Sequence, residues 1–228
     1  MNNICIIPAR KGSKRIKGKN IKIFFNKPMI QYSIIAAKKS KCFKEIFVST
    51  DCKKTAKIAR KLGAKVPTLR PKKLASDYAP VGDVISFSLK NLPNLDDIDY
   101  VCNISAASPL ISENYIRKSL RIIKSSNYDY VFGVKEFESS IQRSFSLDKN
   151  NLIKKANIKH SKKRSQDFEK KFYDSGQFYW ARPKVFLNKK NLFNSKSYGL
   201  KIPYKFAYDI NNKGDLEISK MIFKFRKK

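Results

Sequence analysis

Residues 4–20 read ICIIPARKGSKRIKGKN, and the interpretation of the whole chain depends on this stretch. Four apolar residues followed by Pro8 are typical of a buried strand, and a basic loop containing Gly12 and Gly18 comes directly after it. Open α/β sheets bind their ligands at the carboxyl ends of the strands. Glycine N–H groups and Lys and Arg side chains can hold a polyphosphate there, so the loop predicts a nucleotide site.

The loop is not a P-loop of the Walker A type. Five residues separate Gly12 from Gly18, one more than that motif allows, and Asn20 occupies the position of the Ser or Thr that contacts magnesium. Basic turns with glycine are also common where nothing binds. The spacing alone therefore leaves open what this loop holds.

The rest of the chain alternates between strand and helix signals. Strands are expected at residues 4–8, 45–50, 65–69, 100–104, 130–134 and 201–208, and helices from Pro28 and over 53–62, 81–92, 112–125 and 214–225. Such alternation is typical of parallel βαβ units with right-handed crossovers. An aspartate that follows a strand beside a nucleotide loop, here Asp209, is a candidate magnesium ligand.

The alternation is lost at residues 135–171, where we expect an excursion with short antiparallel strands that reaches a partner subunit. The next stretch, FYDSGQFYW at residues 172–180, predicts a strand whose rings serve mainly for packing. Packing does not readily explain Asp174, Gly176 and Gln177 within it, because polar residues in such a strand need hydrogen-bond partners or a ligand. We interpret residues 1–228 as a single domain with this one insertion.

Composition narrows the class of protein. A chain of 228 residues with 42% apolar residues can fill the core of one α/β domain. The four cysteines lack CxxC spacing and predict reduced thiols, and a single histidine, His160, argues against a histidine triad. No window is long enough to span a membrane and the apolar start is too short for a signal peptide, so we expect a cytoplasmic protein without a membrane partner.

The formal net charge of +32 has two readings. Lysines are spread along the whole chain and no nucleic-acid-binding module appears, so a specific nucleic-acid partner is not expected. A basic nucleotide- or nucleic-acid-binding protein without catalysis is the alternative, and it would bind polyanions with a steep salt dependence. The same positive field would also attract small anionic substrates.

Several motifs resemble those of one enzyme family. IPARKGSKRIKGKNI at residues 7–21 is similar to the N-terminal signature of the CMP-sialic acid synthetases, cytidylyltransferases that activate nonulosonic acids with CTP. RPKKLASDYA at 70–79, ASPL at 107–110 and YDIN at 208–211 match further motifs of that family. The resemblance covers nearly the whole chain. It implies a Rossmann-like α/β nucleotidyltransferase fold with a mostly parallel sheet, helices on both faces and a small antiparallel insertion.

The resemblance also implies a cofactor, Mg²⁺ or Mn²⁺, a homodimer, and roles for individual residues. Arg10, Lys19 and Asp209 would be the catalytic residues, with Asp209 and Asn211 holding the metal. The residues implied for the nucleotide are Arg10, Gly12, Ser13, Lys19, Asn20, Arg70, Asp77 and Ala79. The residues implied for the sugar are Gln142, Arg143, Arg164, Gln166, Asp174 and Gln177.

Two positions depart from the family pattern. Asn211 stands where the relatives usually have a second aspartate, and an amide can coordinate a metal through its carbonyl oxygen but adds no charge. Ser105 replaces a larger residue that reaches towards the ligands in many relatives. The first difference predicts a changed metal affinity or a changed number of metals, and the second predicts either a shifted sugar preference or reduced activity.

Overall fold

The computed structural model describes residues 2–154 and 163–226. Its strands are β1 (Ile4–Pro8), β2 (Ile23–Phe24), β3 (Lys27–Pro28), β4 (Glu45–Ser49), β5 (Val101–Ile104), β6 (Tyr130–Glu136), β7 (Ser146–Leu147), β8 (Ile153–Lys154), β9 (Phe172–Ala181) and β10 (Ser197–Lys201). Its α-helices are α1 (Met29–Ser40), α2 (Lys53–Lys61), α3 (Val81–Lys90), α4 (Glu113–Lys124), α5 (Pro183–Leu187) and α6 (Lys213–Phe225).

The central sheet has the strand order β10-β6-β9-β5-β1-β4. Strand β1 runs parallel to β4 and β5, and β10 runs parallel to β6, whereas β9 is antiparallel to both of its neighbours. The chain leaves the sheet at the end of β6 and re-enters at Phe172, which pairs with Glu136. Because β9 starts where β6 ends, it must run back in the opposite direction. The mostly parallel α/β sheet is confirmed, and β9 is its exception.

Both faces of the sheet are covered, which explains why β1 is apolar without alternation. Cys5 and Ile7 belong to the core beneath α1, α2 and α4, whereas Ile4 and Ile6 belong to the core beneath α3 and α5. Cys5, Ile6 and Ile7 are fully buried. Complete burial of an aliphatic side chain contributes roughly 1.5–3 kcal/mol, so β1 is a major source of stability as well as the base of the loop that follows it.

Two predicted strands differ from the structure. The strand expected at 65–69 is reduced to one parallel bridge between Phe47 and Lys65, because Pro67 has no N–H to continue a ladder. The strand expected at 201–208 ends at Lys201, where β10 ends, and a short 3₁₀ helix over Tyr204–Phe206 follows. Pro203 provides the extended residue from which that turn starts.

The excursion contains the short antiparallel strands that the sequence predicts. Strand β7 pairs with β8 in a separate two-stranded sheet, flanked by 3₁₀ helices over Ile141–Arg143 and Ser165–Asp167. His160 lies outside the described residues.

Helix α6 begins at a capping box. The Asn212 side chain accepts a hydrogen bond from the Asp215 N–H at 3.0 Å, and the Asp215 carboxylate accepts one from the Asn212 N–H at 2.8 Å. Removing such a cap typically costs about 0.5–2 kcal/mol. The box fixes the segment that carries Asp209 and Asn211. Within the described part of the chain, no helix combines the length and apolarity needed to cross a membrane.

Candidate active site

The basic loop after β1 is held by hydrogen bonds at both of its ends. The Lys11 N–H donates to Asp51 Oδ1 at 2.8 Å, beyond the end of β4. Asn20 Nδ2 donates to the Arg10 carbonyl oxygen at 2.9 Å, and the Asn20 side chain is buried. An amide at position 20 therefore closes the loop, where a Walker A motif would present a hydroxyl to a metal.

Gly18 lets the loop turn back towards the C-terminal segment. Its φ of 64° is left-handed, which favours glycine, and the 3₁₀ helix over Lys19–Ile21 starts immediately after it. Lys19 Nζ donates to the Ile210 carbonyl oxygen at 2.7 Å. Burial lowers the pKa of Lys19, and the nearby carboxylate of Asp209 partly opposes that effect. The turn thus places a partly desolvated ammonium next to the predicted metal ligand.

The loop borders a cavity of about 340 Å³, which we call the first cavity. Its wall is rich in cations and is formed by the loop, the segment before α3 and the carboxyl end of β5. The predicted nucleotide and metal residues that line it are Arg10, Ser13, Lys19, Asn20, Arg70, Asp77, Ala79 and Asn211. Gly12 does not line it, and a Cβ at that position would meet no atom within 4 Å.

Arg70 is the most unusual group on this wall. The residue is only 5% exposed, and neither its Nε nor its Nη2 has a hydrogen-bond partner among the described residues. Burial lowers the pKa of this guanidinium, with Asp51 opposing the shift. Buried charged donors are normally paired, so two unpaired nitrogens on a residue of the cavity wall favour a ligand that supplies acceptors.

Asp77 balances the cations of the loop. Its carboxylate forms an ion pair with Arg10 and another with Lys14 Nζ at 2.7 Å. Hydrogen bonds from Lys14 and Arg10 hold the pKa of the Asp77 carboxyl below its usual value. This pairing ties Arg10, which lines the cavity, to the segment before α3.

Asp209 lies beside the first cavity, with Asn211 next to it. Asn211 Nδ2 donates to Asp209 Oδ2 at 2.6 Å, while Asn211 Oδ1 accepts a hydrogen bond from Arg15 Nη2 at 2.9 Å. The described residues contain no group of three or more His, Cys, Asp or Glu side chains that could enclose a metal. One carboxylate and one amide oxygen are residue types that suit Mg²⁺, which commonly takes few protein ligands, but the Asn211 amide would have to leave Arg15 and turn its oxygen towards Asp209 to share an ion with it.

Asp174 and Gly176 of β9 lie next to Asp209. A Cβ on Gly176 would lie 3.5 Å from Asp209 Cγ, and Gly176 has a left-handed φ of 69°. Asp174 accepts hydrogen bonds from the Tyr179 hydroxyl at 2.6 Å and from the Gly176 N–H at 2.8 Å. Burial raises the pKa of Asp174, and these two hydrogen bonds oppose the shift. Gly176, which packing of the aromatic strand did not explain, thus lies beside Asp209.

A second cavity of about 370 Å³ adjoins the first, and Pro8, Val81 and Ser105 line both. Its remaining wall is largely aromatic and aliphatic, with a few polar groups. That wall is formed by Gly82, Asn103, Tyr130, Gly176, Tyr179, Phe186, Lys190 and Leu192. Lys190 Nζ is paired with Asp129 Oδ1 at 3.0 Å. An amphipathic ligand would suit this cavity better than a polyphosphate.

The structure separates the predicted sugar residues into two groups. Gln142, Arg143 and Gln166 line a cavity of about 740 Å³ in the excursion, and this cavity has no wall residue in common with the first two in the described part of the chain. Arg164 lies beside it, 3.8 Å from Asp167. Gln177 is buried in β9, and its Nε2 donates to the Phe206 carbonyl oxygen at 2.9 Å.

Sequence reasoning missed several residues of these walls. Lys14 and Arg15 line the first cavity, and their position in the basic loop was a sufficient signal to include them. Asn103, Tyr179 and Lys190 line the second cavity, but they come from distant segments and carry no motif. The pairing of β5 with β9 brings Asn103 and Tyr179 together, and Lys190 comes from the segment after α5.

The fold and the cationic cavity define a nucleotidyltransferase, and the chain belongs to the cytidylyltransferase family, whose model matches residues 4–222. It is 38% identical over 225 residues to the pseudaminic acid cytidylyltransferase of Campylobacter jejuni, covering 98% of this chain and 97% of that protein. The family expected from the sequence motifs is thereby confirmed, as is the similarity to pseudaminic acid cytidylyltransferases.

Comparisons with more distant relatives point to the same enzyme class and the same fold. The chain is 30% identical over 218 residues to an N-acylneuraminate cytidylyltransferase of Streptococcus agalactiae, covering 94% of this chain and 52% of that protein. The solved structure of a CMP:2-keto-3-deoxy-manno-octonic acid synthetase in complex with CTP shares the fold, with a TM-score of 0.73 at 15% identity over 99% of this chain and all of that one. The Rossmann-like nucleotidyltransferase fold and the enzyme class are therefore confirmed.

Proposed function

We propose that the protein transfers the cytidylyl group of CTP to an N-acylated nonulosonic acid, most specifically pseudaminic acid, for surface glycosylation. The similarity to pseudaminic acid cytidylyltransferase along the whole chain supports this substrate. The observation that carries the proposal is the shared wall of two unlike cavities, one lined by cations and one by aromatic and aliphatic groups. A triphosphate suits the first cavity and an acylated acidic sugar suits the second.

The reaction is an in-line displacement at phosphorus. The anomeric hydroxyl oxygen of the sugar attacks the α-phosphorus of CTP, the bond to the bridging oxygen breaks, and pyrophosphate leaves while the hydroxyl proton is released. Such reactions depend mainly on positioning and on neutralising charge on phosphate oxygens. Arg10 and Lys19 are placed to do so, and one such donor is typically worth about 2.7–4 kcal/mol.

Arg70 and the Ser105 region would fix the two substrates relative to each other. The unpaired buried donors of Arg70 suit acceptors of the nucleotide, which satisfy them on binding. Ser105 lies where the cavities meet, and its backbone is held by a 2.8 Å hydrogen bond from its N–H to the Gln177 carbonyl oxygen. Gln177 therefore contributes by positioning this junction.

Asp209 and Asn211 would hold Mg²⁺, or Mn²⁺ in its place. When bound, the metal would neutralise phosphate charge as a Lewis acid. The support for this site is its chemistry: oxygen ligands beside the triphosphate cavity, with Lys19 nearby.

A homodimer is part of the proposal. Gln142, Arg143 and Gln166 line a cavity apart from the other two. Phe145, Leu147 and Ile153 expose more than half of their surface on the same excursion. A second copy of the chain would cover these apolar groups and bring the predicted sugar residues to the second cavity. We propose a cytoplasmic location, where CTP is made.

The test is a pyrophosphate-release assay with CTP and Mg²⁺ or Mn²⁺. Pseudaminic, N,N′-diacetyllegionaminic and N-acetylneuraminic acids would be compared, with UTP as the nucleotide control. We expect turnover with CTP and the highest kcat/KM with pseudaminic acid. Absence of turnover with every acid would refute the proposal, and a higher kcat/KM with another acid would reassign the sugar.

A further inference from the structure

Asn103 is a polar residue in the deep wall of the second cavity. It lies on β5, between Ile6 of β1 and Tyr179 of β9, which are its register partners. The residue is only 4% exposed, and its Oδ1 accepts no hydrogen bond from any described residue. An unsatisfied buried amide oxygen is costly, and Asn103 borders an open cavity.

Three neighbouring polar side chains of this wall are already engaged. The Tyr179 hydroxyl donates to Asp174 Oδ2 at 2.6 Å, and the Tyr130 hydroxyl donates to the Lys190 carbonyl oxygen at 3.2 Å. Lys190 Nζ is paired with Asp129. None of these groups donates to Asn103 Oδ1, and this oxygen has almost no accessible surface in the unliganded protein, so a donor in the cavity reaches it only if the side-chain amide turns towards the cavity.

The surroundings restrict what that donor can be. Val81, Phe186 and Leu192 give the cavity an apolar wall on which a methyl group can pack. A secondary amide combines one N–H donor with such a small apolar group. A sugar hydroxyl could donate as well but offers nothing to the aliphatic wall.

We propose that Asn103 is a specificity-determining residue that accepts a hydrogen bond from the N–H of an acylamido group on the acidic sugar. This inference rests on the proposed function, because it assigns one substituent of the proposed substrate to one atom of the cavity. A site built to pair with an N–H discriminates strongly against an analogue that lacks it, because the buried acceptor is then left unsatisfied.

The experiment compares wild type with Asn103→Leu, using the preferred acid and analogues in which each acylamido group in turn is replaced by hydrogen. In the wild type, one analogue should lose about 10- to 100-fold in kcat/KM relative to the parent acid. In Asn103→Leu the kcat/KM values for the parent acid and for that analogue should become nearly equal, mainly because the value for the parent acid falls. The melting temperature of the variant should be unchanged or higher, since an unsatisfied polar group has been replaced by an apolar one of similar size.

Each other outcome overturns the inference. If Asn103→Leu lowers kcat/KM by the same factor for the parent acid and every analogue, Asn103 has only a structural role. If wild type turns over the acids without distinguishing the analogues, the pairing does not exist although the proposed function stands. If wild type turns over no acylated acid with CTP, both proposals fall. If Asn103→Leu does not fold, the same comparison is made with Asn103→Ala, which adds no bulk to the core.

Discussion

The carboxylate of Asp77 forms an ion pair with the guanidinium of Arg10 at the first cavity, joining the loop after β1 to the segment before α3. Lys14 binds the same carboxylate. Arg10 is thereby kept at the position where the triphosphate is proposed to bind, before any ligand arrives. Preorganised charge of this kind needs little rearrangement during the reaction.

Arg10→Ala should lower kcat/KM for CTP by about 10²–10³-fold while leaving the melting temperature nearly unchanged. The loss follows from removing a donor to the phosphate oxygens, whereas the fold depends little on a partly exposed ion pair. Pyrophosphate release and thermal unfolding would be measured together. Lys17→Ala is the matched control, because Lys17 is exposed in the same loop and does not line the cavity. A fully active Arg10→Ala enzyme would contradict the assignment of the loop.

Arg70→Met should weaken CTP binding by about 10- to 100-fold and leave the protein as stable as before, or more stable. The substitution removes a buried guanidinium whose Nε and Nη2 are unpaired without ligand. Calorimetry with CTP and thermal unfolding give the two readouts. Arg60→Met serves as the control, since Arg60 Nη2 donates to the Val66 carbonyl oxygen and does not line the cavity. A large loss of stability with unchanged CTP affinity would make Arg70 a structural residue.

CTP affinity should fall at alkaline pH because of Lys19. Burial lowers the pKa of this ammonium, so its charge is lost at a lower pH than that of an ordinary lysine. Only the cation attracts phosphate, and affinity therefore decreases as pH rises through the lowered pKa. Lys19→Arg keeps the charge and should move this decrease to higher pH in a titration of Kd against pH. Lys17→Arg should leave the profile unchanged, and an identical shift in both variants would exclude Lys19 as its source.

Asn211→Asp should lower the Mg²⁺ concentration needed for half-maximal activity by about tenfold, because a second carboxylate adds ligand charge. Without metal, the new carboxylate faces Asp209, to which the Asn211 amide now donates at 2.6 Å. The melting temperature should therefore be lower than that of wild type without Mg²⁺ and should rise further when Mg²⁺ is added.

Asn212→Asp is the control for this prediction. It adds the same charge one residue away, and aspartate also serves as a helix N-cap. Equal Mg²⁺ effects in the two variants would show a general charge effect, and Asn211 would then not be a metal ligand.

Ile153→Glu should dissociate the proposed homodimer and lower activity. The side chain is 64% exposed on β8, and a charge there would oppose burial against a second copy. Analytical ultracentrifugation would measure the oligomeric state. Met221→Glu is the control, because Met221 is 68% exposed on α6, away from the excursion. A dimer that survives Ile153→Glu would place the interface elsewhere.

The first cavity was largely predictable, and the second was not. The loop from Arg10 to Asn20 is local in sequence, so its glycines and cations indicate its chemistry before the fold is known. Asn103 is different: it reads as an ordinary residue of a buried strand, and its significance depends on β9 lying antiparallel beside β5. Gly176 shows the same limit, since only the structure reveals that its backbone has a left-handed φ of 69° and lies beside Asp209.

The wall shared by the two cavities, formed by Pro8, Val81 and Ser105, has a consequence for inhibition. Two groups that meet along one wall can be joined by a short covalent tether, and the second group then binds at a high effective concentration. A compound that links cytidine to an acylated acidic ring should therefore bind far more tightly than either half alone.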